Sequence, residues 1–218
     1  MKSVVIVAAA RSPIGSFNGG LASFSAPDLG AMAIREVLKR GSVAPGQVDE
    51  VIMGNVLTAG EGQAPARQAA LKAGLPEKTP STTVNKVCAS GMKAVMYAAN
   101  QIMSGEADII VAGGMESMSN VPYYLPKMRN GARLGHAEVQ DGIIKDGLWD
   151  VYKDYHMGNA GELCAEECKI SREDQDAFAI DSYKKSIEAN KNGWLNDEMF
   201  HVKITDRKGN VTMIEEDE

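Results

Sequence analysis

A lone cysteine, Cys88, sits where the β-branched run Val84-Asn85-Lys86-Val87 gives way to Ala89-Ser90-Gly91 and a helical pattern. A thiol in that place can work as a nucleophile. The unpaired amides of a first helical turn and the positive end of the helix dipole favour thiolate over thiol. Three small residues leave room for a substrate to approach. The same strand-turn-helix junction presents serine nucleophiles in other α/β enzymes. Most free cysteines are instead small buried hydrophobes, and spacing alone leaves both readings open. His136, His156 and His201 are the only histidines. None lies near Cys88 in sequence, so no nucleophile-base pair is assembled locally. Cys164 and Cys168 fall four apart on one helix face and read as packing residues, because no paired His or Cys motif accompanies them as a zinc site requires. Gly60-Glu61-Gly62 lacks the third glycine of a dinucleotide fingerprint, and Gly113-Gly114 lacks the Lys-Ser/Thr of a P-loop.

The elements that must position Cys88 follow from periodicity. Residues 4–8 read as a buried strand and 15–25 as a loop. Asp28 is placed to cap a helix to about Lys39, with Leu29, Met32, Ala33 and Val37 on its apolar side. A second strand covers 49–54, a helix 63–73 closed by Gly74 and Pro76, and a third strand 81–87. A helix over 90–104 and a fourth strand over 108–112 complete an alternation that implies crossover units and a mostly parallel sheet covered on both faces. Residues 117–157, rich in Gly, Asn, Pro, Met and Tyr, leave this core as an irregular excursion. Helices over 158–168 and 171–190 follow, the second opened by a capping box from Ser171 to Asp174. Strands over 200–205 and 210–214 flank a turn at Asp206-Arg207-Lys208-Gly209. The acidic run 215–218 reads as a solvated end or a seam with a partner.

Composition narrows the classes. The 218 residues, 44% apolar, suffice for one large or two small domains with a real core. Residues 1–120 carry 10 Lys/Arg against 9 Asp/Glu, and residues 121–218 carry 13 against 20. No basic stripe is present, so nucleic acid is not an expected partner. No run is long and apolar enough to suggest a membrane span. The start resembles a short secretory signal, but its apolar run is of minimal length and β-branched like a strand. Three cysteines make an odd set rather than a disulfide scaffold, which points to a reducing cytoplasm.

The segment 84–95, VNKVCASGMKAV, resembles the nucleophile segment of thiolases. The likeness runs through VVIVAAARSPIGSFNGGLA (4–22), GNVLTAGEGQAPARQAAL (54–71), VAGGMESMSNVPY (111–123), DGLWDVYKDYHMG (146–158) and SREDQDAFAIDSY (171–183). It is similar in particular to acetoacetyl-CoA thiolases, also called acetyl-CoA acetyltransferases. The resemblance implies an α/β thiolase fold: one βαβαβαββ half with a mixed sheet, here residues 1–118, and an inserted, partly helical loop domain, here 119–218 and incomplete. It implies that Cys88 is acylated by a thioester, and that Leu148, His156 and Met157 line the channel for the pantetheine arm and acyl group. It implies coenzyme A thioesters as substrates, with no prosthetic group and no metal. Residues 126–141 match the loop through which tetrameric thiolases associate.

The family completes its site with Gly-His-Pro, Asn-Glu-Ala-Phe and Cys-x-Gly-Gly-Gly motifs from its second half. None occurs in this sequence. Claisen condensation needs a base for a weakly acidic α-carbon and donors for an enolate oxygen, which Cys88 alone does not supply. The expectation is therefore a natural subunit of a split thiolase, in a hetero-oligomer built on a dimer or tetramer, with its site at the interface. The other reading is a piece cut inside the loop domain. Longer-chain 3-ketoacyl-CoA thiolysis, a condensing enzyme using an acyl carrier, and a non-catalytic assembly role are the functional alternatives. One departure stands out: where the family runs Ala-Glu-Asn after His-Met-Gly, this chain has Leu163 in place of the asparagine.

Overall fold

The computed structural model describes residues 3–206 and 208–218. The chain divides into two compact units. One comprises the residues up to Pro122 together with Glu198–Glu218, and the other is Tyr123–Asp197.

In the first unit, helix α1 (Ala26–Arg40) opens on Ser25, whose hydroxyl accepts the Asp28 amide while the Asp28 carboxylate accepts the Ser25 amide. Asp28 is thus the third helical member of a capping box, three residues inside the helix it was expected to cap. The face that α1 buries carries Ala26, Gly30, Ala31, Ile34 and Leu38, leaving Leu29, Met32, Ala33 and Val37 half-buried on its flank. Strand β1 (Glu50–Gly54) leads to α2 (Pro65–Lys72), β2 (Ser81–Val84), α3 (Ser90–Ser104) and β3 (Ile110–Gly114). The strands form a parallel sheet in the order β2-β1-β3. This is the crossover arrangement expected from the alternating pattern.

One face of the sheet is covered by α1 and α2, whose Ile34, Leu38, Ala66, Ala69 and Ala70 pack on Val51, Met53 and Val111. Burying each large aliphatic side chain contributes roughly 1.5–3 kcal/mol. The alanines of α2 let the helices approach closely: a Cβ on Gly30 would stand 3.2 Å from that of Ala69. On the other face α3 lays Ser90, Ala94 and Ala98 against Ile52, with Val84, Ile110 and Ala112 around them.

Residues 4–8 do not form the strand expected there, the first of the four. They are extended but unpaired, with Val5, Ile6 and Val7 70–80% exposed. A strand is stabilised by the ladder beside it, and among the described residues none runs alongside this segment. The Ala9 carbonyl accepts the Arg40 guanidinium, and Arg11 then bridges Met199 in parallel and sets its guanidinium on both carboxylate oxygens of Asp217, at 2.7 and 3.0 Å. Asp217 also accepts the Ile14 amide, and Glu218 accepts those of Ser16 and Gly20. The acidic run is therefore tied down at its last two side chains, not a wholly solvated end. The reading of the first residues as a signal begins at Met1 and Lys2, which lie outside the described residues.

The second unit begins with short antiparallel ladders. β4 (Tyr123–Tyr124) pairs with β5 (Gln140–Asp141), and a π-helical turn over Ile144–Leu148 feeds β6 (Trp149–Asp150), which pairs with β7 (Tyr155–His156). Helices α4 (Met157–Glu167) and α5 (Arg172–Lys191) follow, the second capped by the Ser171 hydroxyl accepting the Asp174 amide at 3.1 Å. Neither helix buries a residue. β8 (Val202–Thr205) and β9 (Val211–Ile214) form the expected hairpin within the first unit. Arg207 of its turn lies outside the described residues.

Candidate active site

The three parallel strands end together. Gly54 is in register with Val84 on one side and Gly114 on the other, and the carboxyl ends of parallel strands are where such sheets bind ligands. Cys88 lies four residues past Val84, one before the N-cap Ala89 of α3, and it is exposed.

The turn that carries it is forced. Val87 sits at φ 48°, a left-handed conformation that is a true outlier for a β-branched residue and costs roughly 1–3 kcal/mol. Hydrogen bonds hold it there. The Asn85 side-chain oxygen accepts the Val87 amide at 2.9 Å. The buried Ser90 hydroxyl accepts the Lys86 amide at 2.8 Å and donates to the Val87 carbonyl at 2.6 Å. Beneath the turn the backbones touch: a Cβ on Gly54 would lie 2.5 Å from the Gly91 nitrogen, and one on Gly114 would lie 3.5 Å from the Gly91 Cα. Glycine at 54 is what lets α3 begin directly over the sheet end. The result is a thiol on a rigid elbow, at the end of a helix that favours negative charge.

Beside this elbow the Glu116 carboxylate accepts the Asn55 side-chain amide at 2.9 Å and the backbone amides of Val56 and Leu57 at 3.0 Å, pinning the chain that leaves β1. Glu61 is near enough to feel it. Burial and then the Glu116 charge push its carboxyl up to about 7. Two buried atoms here, Asn55 Oδ1 and Glu61 Oε2, have no hydrogen-bond partner. The sequence reading singled out neither glutamate, since pairing across 55 residues leaves no local signal.

The other family-matched residues belong to the second unit. Trp149 pairs with His156; Leu148, the last residue of the π-helical turn, and Met157, the first of α4, adjoin these two partners in the chain. Topology thus brings Leu148, His156 and Met157 together. His156 also caps α4: its Nδ1 accepts the Gly158 amide at 2.9 Å, which leaves Nε2 as the ring's donor. Cys164 and Cys168 depart from expectation. Both are free and exposed, because α4 packs no core-facing stripe against a neighbour. Among the described residues no group of three or more His, Cys, Asp or Glu is arranged to hold a metal ion.

Comparison with known proteins agrees with this layout. The family model "Thiolase, N-terminal domain" matches residues 4–218. An acetyl-CoA acetyltransferase of Cupriavidus necator is 55% identical over all 218 residues, which cover 56% of that protein. An acetyl-CoA acetyltransferase of Pseudomonas aeruginosa is 52% identical over the whole chain and 56% of its own length. A probable acetyl-CoA acetyltransferase of Dictyostelium discoideum is likewise 52% identical, with 53% of its length covered. The chain spans about half the length of the curated relatives it matches. An elbow cysteine over a parallel sheet, in a sequence more than half identical to these relatives across its full extent, makes this chain a member of the thiolase family, corresponding to its N-terminal domain.

Proposed function

We propose that Cys88 is the nucleophile of an acetyl-CoA C-acetyltransferase and that this chain acts together with a complementary C-terminal half. The observation that carries the reading is the exposed thiol on a strained turn at the start of α3, in a chain of thiolase ancestry. The Cys88 thiolate attacks the carbonyl carbon of acetyl-CoA, the carbon-sulfur bond to CoA breaks, and CoA leaves as a thiol after taking up a proton. The positive end of the α3 dipole favours the charge that develops on the carbonyl oxygen. A base from the second half then removes an α-proton from another acetyl-CoA. That carbanion attacks the acetyl-Cys88 carbonyl, forming acetoacetyl-CoA and returning the thiolate. Thiolysis runs the same steps backwards. No prosthetic group is called for.

Leu148, His156 and Met157 are assigned to the channel for the pantetheine arm and acyl group. Two apolar side chains beside an imidazole with a free Nε2–H suit an arm that is aliphatic with amide carbonyls. The division into an N-terminal half, 1–118, and a loop domain, 119–218, belongs to the same reading.

The need for a second half has its own support. α3 is apolar on both sides: its sheet face is buried, and its outer face carries Met92, Val95, Met96 and Met103, each 36–71% exposed. A helix hydrophobic all round belongs in an interior. The unpaired run Val5-Ile6-Val7 is exposed in the same way. Residues 126–141, with Leu134 99% exposed, offer the surface for association into a larger hetero-oligomer. No described helix is long and apolar enough to cross a membrane, and three free thiols fit a cytoplasmic location.

Copurification of the untagged chain from its host tests the partner, which should be a polypeptide carrying a Gly-His-Pro motif. In that complex Cys88→Ser should abolish acetyl transfer. Full activity of the variant would remove Cys88 from the chemistry.

A further inference from the structure

Cys164 and Cys168 stand on successive turns of α4, joined by the helical bond from the Cys168 amide to the Cys164 carbonyl at 2.9 Å, and both thiols are free and exposed. Side chains four apart share one helix face with Cβ atoms about 5–6 Å apart. A disulfide requires about 3.5–4.5 Å between those atoms, so direct oxidation would have to break the last turn. An atom inserted between the sulfurs lengthens the link by one further bond and leaves the helix intact. Tetrahedral zinc is the wrong occupant, since it wants four ligands. A soft centre with two exchangeable positions is the right one.

We propose that Cys164 and Cys168 form a chelating site for monosubstituted trivalent arsenic, independent of the chemistry assigned to Cys88. With an arsenoso compound, R–As=O, the two S–H bonds break and two As–S bonds form. The oxygen leaves as water carrying both protons, and arsenic stays trivalent throughout. No external oxidant or reductant is needed. A hydrogen bond between the two thiols, in which Cys164 holds the proton, and then the Cys168 charge push the Cys164 thiol up. Water formation removes both thiol protons as the bridge closes. Ring closure makes the second As–S bond intramolecular, which is worth on the order of 10²–10⁴ in retention over a single thiol. Cys88, with no thiol neighbour on its turn, has only the single-thiol affinity.

The test uses phenylarsine oxide on the 218-residue chain in the presence of excess 2-mercaptoethanol, followed by native mass spectrometry. One phenylarsenic per chain is expected, released by 2,3-dimercaptopropanol. C164S and C168S should each weaken retention by on the order of 10²–10⁴, while C88S leaves it unchanged. Amide exchange at residue 168 should slow in the bound wild type, a readout that loss of folding would move the opposite way. Retention by wild type no stronger than by C164S would overturn the proposal, as would loss of the adduct in C88S.

Discussion

Two helices each follow a short strand, and they are built in opposite ways. At the start of α3 the turn is clamped: Ser90 is buried, Val87 is held at positive φ, and backbone meets backbone at Gly54, Gly91 and Gly114. At the start of α4 a single imidazole caps the helix, no residue of the helix is buried, and Gly161 has nothing within 4 Å of where a Cβ would stand. The first is preorganised, which suits the role proposed for Cys88, since reacting atoms must meet in geometry. The second is ordered mainly by its own cap, as suits a surface that a long flexible substrate or a partner chain completes.

Mutations should separate the two helices. Cys88→Ala is expected to lower acetyl transfer by the assembled enzyme on the order of 10³-fold or more, with stability within about 0.5 kcal/mol of wild type because the side chain is exposed. Steady-state rates and urea titrations check both parts. Gly54→Ala should cost roughly 1–3 kcal/mol, since backbone, not a flexible side-chain tip, blocks the new methyl. Loss of activity should accompany it. At the other helix, His156→Ala should cost about 1 kcal/mol through the missing cap, read as faster amide exchange at the first turn of α4. Gly161→Ala should do the reverse and stabilise by about 0.4–1 kcal/mol, because the helix gains propensity in open space. A further effect is one of pH. The folded chain holds a proton on Glu61 up to about 7, above the ordinary carboxyl value of 4.5. Between those values the folded state binds more protons than the unfolded one, so this carboxyl makes stability fall as pH rises through the window. Glu61→Gln should flatten that slope, seen in urea midpoints at pH 5 and pH 8.

Much of the clamped region was legible in the sequence, because its signals are local. The α3 boundaries coincide with the small-residue entry and the closing Gly105, and the parallel crossover follows from strand-helix alternation. Residues 4–8 misled for a physical reason. A β-branched run states a preference for a ladder but not whether a neighbouring strand is present to make one. The burial of α1 came out rotated because Gly30 and Ala31, chosen for close approach to α2, carry no hydrophobic signal of their own. The Glu61–Glu116 pair was invisible, since nothing in spacing records an electrostatic contact between distant segments. Cys164 and Cys168 looked like packing residues because a helical stripe assumes a neighbour to pack on, and α4 has none in its unit that buries it.

The account stands on Cys88 as the acyl carrier, and the acyl-enzyme itself is the direct readout. Mixing the copurified complex with acetyl-CoA, quenching in acid within the first turnover, and mapping peptides by mass should find one acetyl group on the peptide containing Cys88. It should be removed by added CoA and absent from Cys88→Ser. Acetoacetyl-CoA formation with that peptide unmodified at every quench time, or an acetyl group held at Cys164 or Cys168 instead, would contradict it.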